Sequence, residues 1–365
     1  MKIAVVGAGI VGATAAYYLS KEKDCQLTVF DHGQGQATKA AAGIISPWFS
    51  KRRNKAWYKM ARLGADFYQE LIANLQTDGW DSSFYKQTGV YLLKRDPSKL
   101  AELKDLASKR REESPLIGQL EILNQAQVAK RLPDLQGFDQ LLYASGGARV
   151  EGANLTQTLL RASGCQVVKA KVSLQVLADG TYLIEGQTFD QVLLATGAWL
   201  PNLLQPLGYQ VDVRPQKGQL RDYYFTDFAT EALPVVMPEG ELDIIPFKEG
   251  QISVGASHEN NQGYDLTPDP QALQGLEKEA QTYLPILAQA KQYRERVGTR
   301  AYTSDFSPFY GQVPGLTGVF AASGLGSSGL TTGPLIAKEL VNLLVGRRGQ
   351  LDIQDYSIEK YISKN

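Results

Sequence analysis

The order of apolar and polar positions along the chain predicts helices and strands through most of its length. Several segments repeat apolar residues at the 3.6-residue spacing of an amphipathic helix. The predicted helices are Gly12–Ser20, Trp57–Gln76, Lys99–Arg111, Leu155–Ala162, Asp269–Leu287 and a last one that starts near Thr331–Pro334 and runs to Leu344. Continuous apolar runs are typical of strands buried on both faces. These runs are Ile3–Val6, Leu27–Phe30, Gln191–Gly197 and Val319–Gly324.

A second pattern separates these runs. Tyr209–Phe225 alternates apolar and polar residues, which is typical of an antiparallel strand. Ile244–Phe247 and Ile252–Gly255 flank the turn residues Glu249 and Gly250, so these two segments predict a hairpin. The middle of the chain is therefore expected to contribute an antiparallel sheet.

Three glycines after the first apolar run form a nucleotide-binding pattern. Gly7 permits a tight turn, Gly9 lets the backbone approach a pyrophosphate, and Gly12 lets the next helix pack close to the sheet. The free N–H groups at the start of that helix would attract the pyrophosphate. Asp31 follows the second run, where its carboxylate can accept hydrogen bonds from ribose hydroxyls and would repel a 2′-phosphate. The segment is predicted to bind a dinucleotide other than NADP.

These patterns predict two domains of mixed class, α/β in one and α+β in the other. Because parallel-strand units occur at the start, middle and end, a Rossmann-like FAD/NAD(P)-binding domain is interleaved with a smaller antiparallel-sheet substrate domain. The nucleotide domain is expected to comprise residues 1–80, 145–215 and 296–365, and the substrate domain residues 81–144 and 216–295. A chain of 365 residues has room for both.

Charge and hydropathy exclude several classes of partner. Lys and Arg together number 38, as do Asp and Glu, so the balanced charge predicts no nucleic-acid partner. No apolar run reaches membrane-spanning length, so no integral membrane segment is expected. The first apolar stretch belongs to a strand and a glycine turn and lacks the features of a signal peptide, which predicts a cytoplasmic location.

The few cysteines and histidines limit the chemistry that side chains can perform. Cys25, Cys165, His32 and His258 are the whole set, and their spacing predicts no metal site. They also form no convincing Cys/His or Ser/His/Asp nucleophilic centre. Any chemistry is therefore expected to belong to a bound cofactor.

Seven segments, the glycine pattern among them, form an ordered set of motifs. They are Gly7–Gly12 with Asp31, Thr38–Ile45, Ala195–Trp199, Arg214–Gln219, Val254–Glu259, Gly298–Arg300 with Ser307, Pro308 and Gly311, and Gly324–Leu330. In this order they resemble the motifs of the D-amino-acid oxidase and glycine oxidase superfamily of FAD-dependent oxidoreductases. The resemblance extends from Ile3 to about Leu344.

The resemblance implies that the cofactor is FAD. It is expected to be noncovalent, because the C-terminal half has no cysteine of the kind that attaches flavin in sarcosine oxidase relatives. The turn before the last helix would stabilise the negative charge of the reduced ring, and Val172 would lie against adenine. The expected cofactor-binding residues are Gly7, Gly9, Ile10, Val11, Gly12, Asp31, His32, Thr38, Ala42, Gly43, Ile44, Val172, Thr196, Gly197, Trp199, Gly324, Gly326, Ser327, Ser328, Gly329, Leu330 and Thr331.

Arg300 is the first substrate-binding residue that the resemblance implies. In relatives the arginine of this motif grips the substrate carboxylate as a bidentate fork, a geometry that lysine cannot reproduce. The alternative is a surface ion pair with a nearby acid such as Asp305. No acid–base residue is strictly required in such enzymes, because the protein orients the substrate carbon and excludes water.

Two positions depart from the glycine oxidase pattern. Asp243 stands where those enzymes have a tyrosine, and Ser327 stands where they have a second arginine. Both changes put glycine itself in doubt as the substrate. Asp243 either favours a substrate with an amine-bearing side chain or faces solvent. Tyr302 and Trp48 are further candidate pocket walls.

Three functions follow as hypotheses. The first is oxidation of a D-amino acid or N-substituted amino acid of the glycine or sarcosine type by hydride transfer to flavin N5. The resulting imine hydrolyses to the 2-oxo acid, and oxygen or another acceptor takes the electrons. The alternatives are a flavin-dependent 2-hydroxy-acid dehydrogenase of the same fold, with His258 as its candidate histidine, and a non-catalytic flavin-binding redox module. A homo-oligomer remains open.

Overall fold

The computed structural model describes residues 1–364. Its α-helices are, in chain order, α1 (Ile10–Leu19), α2 (Ala37–Ala40), α3 (Lys55–Thr77), α4 (Pro97–Arg111), α5 (Gln125–Val128), α6 (Gly152–Ser163), α7 (Leu200–Leu204), α8 (Pro270–Tyr283) and α9 (Gly329–Leu344). No helix in this described range is both long and apolar enough to cross a membrane.

The strands belong to several sheets, of which two carry most of the fold. In chain order they are β1 (Lys2–Val6), β2 (Gln26–Phe30), β3 (Ile44–Ile45), β4 (Tyr85–Gln87), β5 (Val90–Leu93), β6 (Leu120–Asn124), β7 (Gln140–Ala144), β8 (Ala148–Val150), β9 (Gln166–Val168), β10 (Gln175–Val176), β11 (Tyr182–Ile184), β12 (Gln187–Phe189), β13 (Gln191–Leu194), β14 (Tyr209–Val211), β15 (Arg214–Tyr224), β16 (Val235–Met237), β17 (Asp243–Pro246), β18 (Gln251–Gly255), β19 (Gln292–Tyr302), β20 (Phe309–Gln312), β21 (Val319–Ser323) and β22 (Ile362–Lys364).

The first main sheet is the predicted Rossmann-like one. Its order is β20-β21-β13-β1-β2-β9, and every pair except β20–β21 is parallel. Along β1, Ile3 and Val5 pack in one core cluster and Ala4 and Val6 in another. Burial of both faces explains why these strands are continuous apolar runs. Helices α1, α6 and α9 pack together over one face.

The second main sheet is mostly antiparallel, with the order β19-β15-β18-β17-β16-β5-β7-β6. On one face, Val236, Ile244 and Val254 join a core cluster that includes residues of α8. Its strands come from 90–144 and 214–302, close to the segments predicted for the substrate domain. The predicted mixed fold class is confirmed, and the domain boundaries remain a proposal.

Two elements differ from the sequence prediction for local reasons. The run predicted as one strand over Tyr209–Phe225 divides into β14 and β15, because β14 pairs with β22 near the C-terminus whereas β15 pairs with β18 and β19. The last helix begins at Gly329, so Pro334 lies inside α9 rather than in its first turn. A proline cannot donate to the carbonyl four residues before it. Here the Tyr68 hydroxyl donates to that Leu330 carbonyl instead, at 2.7 Å.

Candidate active site

A cavity of about 600 Å³ is lined by residues of both main sheets. Gly7, Thr196 and Ser323 line it from the carboxyl ends of β1, β13 and β21 or just beyond. Leu92 and Asp243 line it from the antiparallel sheet. In an open α/β sheet, ligands bind beyond the carboxyl ends of the parallel strands. The cavity is therefore where the sequence predicted a nucleotide.

The glycine turn before α1 approaches the sheet too closely for side chains. Gly7 has φ +99°, and a Cβ there would lie 2.4 Å from the carbonyl oxygen of Ala195. A Cβ on Gly12 would lie 1.8 Å from the carbonyl oxygen of Gly7. Gly12 does not line the cavity, so its part is to let α1 pack against the turn. Gly9 is the N-cap residue of α1 and lines the cavity, and it has no side chain that could cover the first N–H groups of the helix.

Asp31 closes this turn from the end of β2. Its Oδ2 accepts a hydrogen bond from the Ala8 amide at 2.6 Å, and its Oδ1 accepts one from the Gln36 side-chain amide at 2.8 Å. The Thr38 hydroxyl accepts from the Ile10 amide at 2.9 Å. Asp31 and Thr38 both line the cavity. They hold the turn and the N-terminus of α1 while facing the place of a nucleotide.

A second helix N-terminus points at the same cavity. Ser328 caps α9 without a side-chain hydrogen bond, and the residues from Leu325 to Thr331 line the cavity. The first N–H groups of a helix have no partner within the helix. They and the helix dipole favour negative charge. Gly324 lies outside the lining, where a Cβ would be 2.7 Å from the Ser307 carbonyl oxygen.

Buried polar atoms test whether a dinucleotide fits here. Gln36 Oε1, Thr196 Oγ1 and Thr299 Oγ1 are buried and find no hydrogen-bond partner within residues 1–364, although all three residues line the cavity. Buried polar atoms left unpaired are costly. Two helix N-termini and three unpaired oxygens fit a large polar cofactor with an anionic centre, as FAD has.

Most predicted cofactor residues are brought together here. Of that set only Gly12 and Gly324 do not line the cavity. His32 and Trp199 contact each other edge to face, with ring centroids 5.3 Å apart, and both line the cavity near Val172.

Arg300 projects from β19 into the other end of the cavity. Its Nη1 donates to the Ser257 carbonyl at 2.8 Å and to Gln216 Oε1 at 3.3 Å. The guanidinium lies over Gly218, where a Cβ would be 2.5 Å from Nη1. Nε and Nη2 have no acceptor within the described part of the chain, so they are free to meet a ligand. Burial lowers the pKa of Arg300.

The predicted alternative for Arg300, an ion pair with Asp305, is wrong. Asp305 instead pairs with Lys360 and accepts hydrogen bonds from the Tyr361 hydroxyl at 3.1 and 3.2 Å. These contacts lower the pKa of Asp305, although burial opposes them. The guanidinium of Arg300 thus keeps its cavity-facing donors.

Asp243 lies at the start of β17 and lines the cavity beside Met237. Within residues 1–364 its carboxylate has no hydrogen-bond or ion-pair partner. Burial raises the pKa of Asp243 to about 7. The acid therefore faces the cavity, where it can exist in either protonation state near neutral pH. Ser327 also lines the cavity, on the α9 side.

Two predicted walls are placed elsewhere. Trp48 is fully buried, and its indole N–H donates to the Ser114 hydroxyl at 2.9 Å, whereas the neighbouring Phe49 lines the cavity. Tyr302 lies behind the glycine turn, and its hydroxyl accepts from the Ser327 amide at 3.1 Å. Trp48 therefore belongs to the core, and Tyr302 supports the turn without lining the cavity.

Two lining residues, Glu241 and Lys94, were missed in the sequence. Glu241 Oε2 lies 3.1 Å from Nδ1 of His258, the histidine predicted for the hydroxy-acid alternative, and both residues line the cavity. Burial and the charge of Arg300 lower the pKa of His258. Lys94 falls at the same two-residue spacing as Val90 and Leu92, and this spacing was the one sequence signal that it lies on the face of the sheet that lines the cavity. Burial lowers the pKa of Lys94.

Known proteins resemble the whole chain. The model of the family "FAD dependent oxidoreductase" (DAO) matches residues 2–343. The "Uncharacterized oxidoreductase YurR" of Bacillus subtilis (strain 168) is 40% identical over 96% of this chain and 97% of its own. Glycine oxidase of Pseudomonas aeruginosa is 31% identical over 98% of each chain. The crystal structure of iminodiacetate oxidase from Chelativorans sp. BNC1 matches with a TM-score of 0.92 and 31% identity, over 97% of this chain and 98% of that one.

The cavity and the comparisons agree on the cofactor and on the reaction type. The two helix N-termini, the unpaired buried oxygens and the predicted glycine turn fit FAD. The relatives are oxidoreductases, and the similarity to them extends over nearly the whole length of both chains. The chain belongs to the DAO family of FAD-dependent oxidoreductases, and it is similar along its length to a glycine oxidase and an iminodiacetate oxidase.

Proposed function

We propose that the protein oxidises an amino acid, either a D-amino acid or an N-substituted one of the glycine type, to an imine that hydrolyses to the 2-oxo acid. The observation that carries the proposal is Arg300, which lines the cavity with Nη1 fixed by Ser257 and Gln216 and with no acceptor for Nε and Nη2 within the described residues. A guanidinium held in this way binds a carboxylate through two parallel hydrogen bonds. The names of two relatives support it, because glycine and iminodiacetate both carry an amine next to a carboxylate.

The residues of the chain position and shield the substrate. Arg300 holds the carboxylate, and the apolar side chains of Leu92 and Met237 exclude water from the carbon that reacts. FAD, when bound, supplies a two-electron oxidant that accepts hydride at N5. The N-terminus of α9 would stabilise the negative charge that this reduction creates.

A 2-hydroxy acid is the second candidate substrate. His258 lines the cavity close to Arg300, and its Nδ1 faces Glu241 at 3.1 Å, which orients the ring. A neutral histidine in that position could take the proton of a hydroxyl. Anaerobic mixing with D-amino acids, N-methyl and N-carboxymethyl amino acids, and 2-hydroxy acids separates the two candidates. Bleaching of the flavin spectrum by the amine compounds supports the proposal, and bleaching by hydroxy acids alone would contradict it.

FAD is expected to be noncovalent, since neither Cys25 nor Cys165 lines the cavity. Purified protein should be yellow, and acid precipitation should release FAD into the supernatant. A flavin that stays with the precipitated protein would contradict this expectation.

Asp31→Ala is expected to weaken FAD binding. A ribose hydroxyl would lose a charged acceptor, which costs about 1–3 kcal/mol, and the bonds to Ala8 and Gln36 would be lost as well. The FAD content after dialysis measures the effect. Asp179→Ala is the matched control, because Asp179 accepts similar local hydrogen bonds from Thr181 in a distant turn. Equal retention of FAD by both variants would mean that Asp31 has no part in binding.

A further inference from the structure

The register of the antiparallel sheet places Asp243 and Arg300 on the same face. Asp243 is opposite Gly255, and Gly255 is opposite Leu220 of β15. Arg300 is opposite Gln216, four residues before Leu220 on that strand. Directly paired residues share a face, as do residues two and four apart along a strand. The acid and the guanidinium therefore project into the cavity from one surface.

The spacing between the two groups suits a small zwitterion. The guanidinium of Arg300 lies over Gly218, two strands and two residues away from Asp243. Strand spacing and residue rise put the Cα atoms of Gly218 and Asp243 about 12 Å apart. The Arg300 guanidinium over Gly218 and the Asp243 carboxylate shorten this gap from its two ends. An amino acid that makes one hydrogen bond of about 2.9 Å to each of the two groups, through its carboxylate to Arg300 and its ammonium to Asp243, spans the remaining distance.

The surroundings of Asp243 leave its charge uncompensated. Its neighbours across the strands on the same face are Met237 and Gly255, and Leu92 follows next to Met237. A buried carboxylate without a cationic partner is costly. The other charged or titratable side chains that line the cavity are Asp31, His32, Lys94, Lys171, Glu241, His258 and Arg300. None of these seven is hydrogen-bonded or ion-paired to Asp243.

We propose that the Asp243 carboxylate binds the ammonium group of the substrate and accepts one proton from it before the α-C–H bond is broken. The N–H bond breaks, its electron pair stays on nitrogen, and the proton moves to a carboxylate oxygen. The electron pair freed on nitrogen would then form the C=N bond of the imine as the α-hydrogen leaves as hydride, and bound FAD, the oxidant of this family, would supply the acceptor for that hydride. This inference rests on the proposed function, and it makes Asp243 a catalytic residue specific for amines.

The same arrangement predicts a preference against 2-hydroxy acids. A hydroxyl group can donate a hydrogen bond to Asp243 but brings no positive charge, so the charge of the carboxylate would remain uncompensated beside Met237. Discrimination is strong when the wrong substrate leaves a group of the site without the partner that it requires. The acid that replaces the glycine oxidase tyrosine is thus directed at the reacting amine, not at a second amine on the side chain.

The test is the rate of anaerobic flavin reduction at low substrate concentration, measured from pH 6 to pH 10 on the FAD-loaded protein. The wild type should rise through pH 7 as Asp243 ionises and then level off. Asp243→Asn should be at least tenfold slower at pH 7 and should approach the wild type as the substrate amine loses its own proton. Asp243→Glu should keep the shape of the wild-type profile.

Glu239→Gln is the matched control and should give the wild-type profile, since Glu239 pairs with Lys99 and does not line the cavity.

A second measurement needs no variant at Asp243. Two amino acids whose amine pKa values differ by at least one unit should give the wild type the same lower limb, because the limb belongs to the enzyme. A limb that moves with the substrate amine, or an Asp243→Asn profile identical to that of the wild type, would overturn the inference. In either case flavin bleaching by amino acids would leave the proposed function standing, whereas bleaching by hydroxy acids alone would remove it.

Discussion

Arg300→Ala is expected to lower kcat/KM for the amino-acid substrate by about two orders of magnitude or more. Arg300 is half-buried, and its Nε and Nη2 have no acceptor within residues 1–364, so the substrate carboxylate would be their partner. Removing one member of a desolvated charge pair typically costs about 2–5 kcal/mol. Steady-state kinetics with the best substrate of the bleaching panel measure the effect.

Three comparisons separate a carboxylate-binding role from a structural one. Arg300→Lys keeps the charge and loses the fork, so it should also be strongly impaired. Arg214→Ala removes an exposed arginine near the start of β15, which contacts the Phe306 ring, and should keep wild-type kinetics. An amine without a carboxylate should be a poor substrate that loses much less on mutation. If Arg300→Ala oxidises amino acids as well as the parent, Arg300 does not bind the carboxylate.

The parts of the site that were predictable are those fixed over short stretches of sequence. Gly7, Gly9 and Asp31 lie within one strand–helix–strand unit, where backbone sterics dictate both spacing and residue type. The turn before α9 was recognisable for the same reason. Their positions follow from local geometry, and the structure brings them to one cavity.

Contacts between distant segments could not be predicted. Trp48 lies in the core, where Ser114, 66 residues away, accepts its indole N–H. Lys94 and Asp243 share a cavity because β5, β16 and β17 are neighbours in the sheet. Asp305 was a plausible partner for Arg300 by sequence distance, yet Lys360 near the C-terminus neutralises it. Each of these contacts depends on how distant segments pack, including the order and register of the strands, and the hydrophobic pattern of a single segment does not determine that packing.

Gly9→Ala and Gly7→Ala are expected to separate cofactor binding from folding. Gly9 has φ −71°, and a Cβ there would contact only Thr38 Oγ1, at 3.3 Å, so the apoprotein should lose little stability. The added methyl would enter the cavity where the backbone must approach the pyrophosphate. Overpacking of this kind costs about 1–3 kcal/mol, or about 5- to 150-fold in the Kd for FAD.

Gly7→Ala should act on the fold itself. Its Cβ would lie 2.4 Å from the Ala195 carbonyl oxygen at φ +99°, so the turn between β1 and α1 must move. We expect a loss of at least about 2 kcal/mol in the free energy of unfolding of the apoprotein. Gly275→Ala in the middle of α8, where nothing lies within 4 Å of the added Cβ, is the control and should be neutral or slightly stabilising. Denaturant unfolding of the apoproteins and FAD titration measure the two effects separately. The interpretation of the glycine turn would be contradicted if Gly9→Ala bound FAD like the wild type, or if Gly7→Ala unfolded at the wild-type midpoint.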